Sequence, residues 1–276
     1  MRGFLTNPVI IKELRERFRT GKTAWILGSY LFVMGAILFG VIYVETANKV
    51  YFRPGESREI FILLTVIQLG MIGFIAPALT AGTISGERER QTLNVLLTTH
   101  LTPFSIVSSK MLTSLLFISL VVLSSLPLYS FVFLYGGISP VQLIKIFWFF
   151  SVNIIFFGSL GVFCSARFRR TGVSTIISYG LTFLVGVGTA LITFFLWQFF
   201  EMMEWKAVDS DLFPFLFSIN PGFVLAEIIG EKVVPPSLTY FMEPWILFSI
   251  LYLGLSVFLL GWATRVLNPL RKKRLG

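Results

Sequence analysis

Six apolar runs, at 24–44, 60–84, 111–135, 141–165, 172–200 and 245–267, set the limits on what this chain can fold into. An α-helix rises about 1.5 Å per residue, so roughly twenty such residues cross the ~30 Å hydrocarbon layer of a bilayer. A helix also satisfies its own backbone hydrogen bonds where no water is present, which makes six transmembrane helices the expected solution. Composition agrees: of 276 residues, 55% are hydrophobic and only 13% are charged, at a mean hydropathy of +0.81, whereas a soluble domain carries about a quarter charged residues. The sequence predicts an all-α polytopic membrane protein with one transmembrane domain over 1–276. The first run lacks a small-residue cleavage pattern after it and reads as a retained span, not a signal peptide.

The distribution of Lys and Arg sets the orientation. Six helices place both termini on one side. Seventeen of the 23 basic residues fall in the N-terminal segment, the second and fourth connections and the C-terminal end, against six on the other side. The termini and the second connection are therefore expected to face the cytoplasm, in a plasma (inner) membrane. Trp25, Trp148, Trp197, Trp245 and Trp262 lie near span ends, where an amphipathic ring suits the headgroup level.

Several chemistries have no residues to carry them. One cysteine, Cys164, excludes an internal disulfide, and with a single histidine, His100, neither a cysteine nor a histidine metal cluster is expected. The net charge of +9 sits at the ends of apolar runs, so it speaks for membrane topology and against nucleic-acid binding. Thr20-Gly21-Lys22-Thr23 invites a phosphate-loop reading, but Glu16 stands where the first glycine should be. Without another glycine-rich loop, the chain is not expected to hydrolyse ATP, and no cofactor is expected on it. Ion-coupled transport needs ionisable groups at membrane depth, and none lies near the middle of a span. Gln68 and Asn153 are the strongest hydrogen-bonding side chains there, and they read either as interhelical bonds or as substrate contacts. Pro77 predicts a kink in the second span.

Two polar segments stand out beside the spans. In 1–23, Asn7 and Pro8 form a helix start, and Ile10, Ile11, Leu14 and Phe18 share a face opposite Lys12, Arg15, Glu16 and Arg19, as in a helix lying on the inner leaflet. In 85–110, Glu87 and Glu89 sit in a first helical turn, Leu93, Leu96 and Leu97 form an apolar stripe, and Thr102-Pro103 start the next helix. Such a helix either seats in a groove of another protein or packs its leucines on its own bundle.

The second of these segments resembles the coupling segment of ABC-2 type exporter permeases. It carries Glu87-Arg88-Glu89, Thr92-Leu93, Leu96-Leu97, Thr98-Thr99, Thr102-Pro103 and Lys110 in the family's order. Gln91 stands where the family usually has glycine, which predicts a more helical turn. The resemblance implies that 1–23 is an elbow helix and that an ATP-binding cassette ATPase subunit, carrying ATP and Mg, docks on Glu87, Arg88, Glu89, Arg90, Thr92, Leu93, Leu96, Leu97 and Thr99. It also implies a second permease copy or a homologous permease as partner, with membrane lipids around both, and a re-entrant outer segment within 201–244. That outer segment reads equally as a small ordered ectodomain. The charge-free, phenylalanine-rich spans suit an apolar or amphipathic cargo, although lipid contact accounts for most phenylalanines. The rival readings are a lipid-modifying membrane enzyme, for which one His and one Cys offer little, and a membrane scaffold without an ATPase.

Overall fold

The computed structural model describes Arg15 and residues 21–46, 54–93, 102–134, 138–203, 212–231 and 242–267. These residues are helical almost throughout, with no strand among them. In chain order the helices are α1 (Gly21–Thr46), α2 (Pro54–Thr80), α3 (Ser85–Glu89), α4 (Pro103–Leu123), α5 (Leu126–Leu134), α6 (Pro140–Arg167) and α7 (Thr171–Phe183). A π-turn at Leu184–Gly188 then leads into α8 (Thr189–Met202), followed by α9 (Leu212–Ile219), α10 (Pro221–Ile229) and α11 (Pro244–Leu267).

Among the described residues, six helical stretches are long and apolar enough to cross a membrane: Ala24–Val44, Arg58–Glu89, Pro103–Ser130, Pro140–Arg167, Thr171–Phe200 and Pro244–Leu267. The chain is a multi-pass membrane protein. Its bundle is built around α6: in the 18-residue apolar stretch of each span, 72% of the residues of the fourth are buried inside the protein, against 17% in the first and 11% in the fifth. The fourth span is therefore the axis, and the first and fifth turn most of their surface outward. Start and register of α6 are fixed by a capping box, in which Ser139 and Gln142 each accept from the other's backbone N–H at 3.1 Å.

Helices α2 and α6 approach closely at Gly161. A Cβ there would stand 1.9 Å from Thr80 Oγ1 and 3.3 Å from the Ala81 nitrogen, so only glycine fits. On the other side of α6, Phe149 and Phe156 pack against Phe248 and Tyr252 of α11.

Helix α4 starts at Pro103 as Thr102-Pro103 predict, ahead of the apolar run at 111: Thr102 caps it by accepting from the Ser105 N–H at 3.2 Å, and Ser109, Lys110 and Thr113 are buried. The third span is then interrupted at Ser124-Ser125, whose hydroxyls donate to Val121 O and Val122 O at 2.6 Å each. The outer segment contains two short helices: α9 buries Phe213 and Phe217 against Trp197 and Phe200, and α10 packs on α6 and α11. Of the expected elbow helix at 1–23, only Arg15 and 21–23, the latter at the start of α1, are among the described residues; Leu96, Leu97 and Thr99 also lie outside them.

Candidate functional site

The charged cluster at 87–90 is carried on the end of the second span. Past Pro77, which is buried within α2, the helix gives way at residues 81–84 to turns and resumes as the single turn α3. These turns leave backbone groups without helical partners, and neighbouring spans supply them. Ser165 Oγ of α6 accepts from the N–H of Ile84 at 2.8 Å and of Ser85 at 2.9 Å, while Ser174 of α7 donates to the Ala81 carbonyl at 2.8 Å.

Each charge of the Glu-Arg-Glu triplet then reaches a different helix. Glu87 pairs with Lys110 of α4 at 2.6 Å. Arg88 donates to the carbonyls of Ala166 at 3.0 Å and Phe168 at 3.1 Å, where α6 ends. Glu89 accepts from both the backbone N–H and the hydroxyl of Thr171, at 2.9 and 2.7 Å, where α7 begins. Arginine suits the middle position because its planar fork can hold two carbonyls at once. Glu89 likewise caps the N-terminal end of α7, where a carboxylate is electrostatically favoured. The triplet is thus a three-way brace that ties the end of the second span to the third, fourth and fifth.

The brace ends in an unusual turn. Gln91 has φ +59°, the left-handed conformation usually taken by glycine at a helix C-terminus. The expectation of a more helical turn is overturned here: the Arg90 N–H bonds Gly86 O at 3.1 Å, the Gln91 N–H bonds Arg88 O at 3.1 Å, and the positive φ of Gln91 ends the helix. Thr92 donates to Glu87 O at 3.2 Å and closes the turn. Arg90, Gln91 and Thr92 are exposed, but Leu93 is not. It is buried among Ile84, Val107, Met111, Val162 and Ala263, so it belongs to the bundle and not to an outward-facing ridge.

A model of the ABC-2 family transporter proteins matches residues 8–232. The chain belongs to that family. As an ABC-2 permease it is the membrane component of an ABC transporter, a kind of protein that works with an ABC ATPase and is typically not itself catalytic. No curated protein sequence matches it.

The two amides expected at membrane depth, Gln68 and Asn153, make different contacts. Gln68 Oε1 accepts from the Tyr30 hydroxyl, joining α2 to α1, and its Nε2 has no partner. Asn153 donates to Phe149 O at 2.9 Å within its own helix, leaving Oδ1 unpaired. Sequence reasoning missed Ser165, Ser174, Thr171 and Asn220. Thr171 carried a signal, since it follows Arg169-Arg170 at a span start. Asn220 carried another: it precedes Pro221 as the cap of α10, accepting from the Gly222 and Phe223 N–H groups at 2.8 and 3.1 Å. No cluster of three metal-ligating side chains occurs among the described residues.

Proposed function

We propose that this permease exports an apolar or amphipathic cargo, with both termini and the Glu87–Thr99 segment on the cytoplasmic side of the plasma membrane. A separate ATP-binding cassette subunit, holding ATP and Mg, seats under Arg90 to Thr99, and a second permease copy or a homologous chain completes the pathway. The observation that carries this reading is the three-way brace. Because Glu87, Arg88 and Glu89 hold three different spans, a displacement of the adjoining exposed turn is delivered to the third, fourth and fifth spans together as a rigid-body movement. The outward faces of the first and fifth spans support contact with a second copy or with lipid.

In this mechanism Arg90 and Thr92 offer polar contacts to the ATPase, while Glu89 and Thr171 transmit its motion. The test is to purify the tagged full-length chain from its native membrane in mild detergent and identify what accompanies it. A stoichiometric P-loop ATPase is expected. Arg90→Glu should abolish its recovery, whereas Thr171→Val should retain it but break the link between ATP hydrolysis and transport. Intact permease without any ATPase, under conditions that preserve a known transporter complex, would favour the scaffold reading instead.

A further inference from the structure

A crevice of about 500 Å³ lies along the last turns of α11. Among the described residues its wall consists of Phe258, Gly261, Trp262 and Arg265. These positions recur at i, i+3, i+4 and i+7, so one face of the helix carries all four over about 10 Å. The brace lies at the same end of the bundle, because Ala263 and Leu267 are buried together with Ile84 and Leu93, which flank the Glu-Arg-Glu triplet.

Three features set this face apart from a plain lipid-facing side of a helix. Gly261 is exposed, and a Cβ there would meet no heavy atom within 4 Å, so the glycine leaves a notch between Phe258 and Arg265. Trp262 is fixed beside the notch by two rings, Phe163 of α6 at 5.4 Å and Phe258, one turn back on α11, edge-on at 5.6 Å. Its indole N–H has no hydrogen-bond partner among the described residues. Arg265, in the last turn of α11, is exposed and has neither a hydrogen bond nor an ion pair among them.

Charge decides which amphiphile fits. The two described carboxylates at this end are engaged, Glu87 with Lys110 and Glu89 with Thr171. From 244 to 276 the sequence has no acidic residue, whereas Arg271, Lys272, Lys273 and Arg274 follow α11. Arg167, exposed one turn beyond Phe163 on α6, adds another cation. An arginine in a last helical turn keeps its stem against hydrocarbon and its head at headgroup level, where the planar fork matches a phosphate. The indole N–H one turn deeper suits a second oxygen, and Phe258 with the notch offers a hydrocarbon chain contacts on more than one side.

We propose that this face of α11 binds one anionic phospholipid from the leaflet at the brace end, with its phosphate on Arg265, an ester or headgroup oxygen on the Trp262 N–H and an acyl chain along Gly261 and Phe258. The lipid lies against the seam between α6 and α11. That seam leads to the brace: Ala166 is buried with Ala263 and Leu267, and its carbonyl accepts from Arg88 at 3.0 Å. The assignment requires neither a docked ATPase nor a second permease.

The experiment places the full-length chain in nanodiscs with phospholipids brominated near the ester end of the acyl chains, since bromine quenches a tryptophan that it touches. The share of Trp262 is the difference between the unaltered protein and Trp262→Phe, which keeps a ring at that position. Half-quenching of this share should need about fivefold less brominated phosphatidylglycerol than brominated phosphatidylcholine of the same chains. Arg265→Gln should abolish that preference, and Gly261→Leu, which fills the notch, should raise the phosphatidylglycerol requirement to that of phosphatidylcholine. Arg170→Gln removes the same charge from the same end of the bundle but not from this face, and should leave the preference intact. Equal quenching by the two lipids in the unaltered protein would overturn the site. So would a preference that Arg170→Gln removes as fully as Arg265→Gln, because general attraction to a basic surface would then account for it.

Discussion

Lys110 Nζ lies 2.6 Å from the Glu87 carboxylate, with the lysine side chain 6% exposed and the glutamate 27%. Removing one member of a buried pair leaves the other charge uncompensated, which typically costs about 3 kcal/mol or more. Glu87→Leu should therefore lower the stability of the permease in mild detergent by about 3 kcal/mol. Adding Lys110→Met should recover most of that loss, since an apolar pair can replace a buried ionic one. Thermal unfolding of the two single variants and the double variant measures the coupling. Strictly additive losses would show that the pair contributes nothing to the brace.

Gln91 occupies a left-handed conformation that costs a side chain with a Cβ about 1 kcal/mol. Glycine adopts it without that penalty but adds freedom to the unfolded chain. The expected result for Gln91→Gly is a net gain of roughly 0.5–1 kcal/mol, and for Gln91→Val a loss of at least that size, because a β-branched residue fits a positive φ worst. Melting temperatures of the three proteins in one detergent decide the order.

The six spans were legible because hydrophobicity over twenty residues is a local property that the bilayer reads directly. The brace was not, because its partners are distant in sequence. Ser165, Phe168 and Thr171 lie about eighty residues from the groups they bind, and no periodicity links them. Glu87 and Glu89 read as charges placed to meet another protein, and Leu93 as part of a docking stripe; the sequence did not show that all three also have partners within the chain. The burial of the first part of α4 was hidden for a related reason. Ser109 and Lys110 read as polar ends of a connection, yet the surrounding helices bury them. Gln91 shows the reverse case: a residue with a side chain holds the left-handed conformation that glycine usually takes.

Acid should loosen the opposite end of the bundle. Glu243 accepts from the Trp245 indole N–H and from Lys145 at 3.0 Å. These hydrogen bonds, with the charge of Lys145, hold its carboxyl below the usual carboxylate range. A group whose folded pKa is lowered contributes stability above its unfolded pKa, about 4.3, and loses that contribution as pH falls through the folded value. Glu243→Gln should thus lower the melting temperature slightly at neutral pH, with the difference vanishing in strong acid. The effect is small because both partners are partly exposed. A difference that persists or widens as the pH falls would assign the contribution to something other than this carboxylate.

Gly161 offers the sharpest test of how the second and fourth spans meet. A methyl group there would lie 1.9 Å from Thr80 Oγ1 and 2.9 Å from Thr80 Cβ, with the Ala81 nitrogen at 3.3 Å. The first contact belongs to a side chain, but Thr80 cannot simply rotate away, because its hydroxyl donates to the Ala76 carbonyl at 2.6 Å just before the turns that lead to the brace. Overpacking of this kind usually costs about 1–3 kcal/mol, and Gly161→Ala should fall at the upper end. Thr80→Ala in the same chain removes the nearest atom and leaves the Cβ contact, so it should restore only part of the loss, while Thr80→Gly should restore more. The readout that separates local packing from transmission is proteolysis at Arg90. If the second span is pushed off the fourth, Arg88 loses the carbonyls of Ala166 and Phe168, the exposed turn is released, and cleavage there should rise several-fold in Gly161→Ala and fall again with each rescue. Unaltered cleavage despite lost stability would mean that the interhelical contact at Gly161 and the three-way brace are mechanically independent.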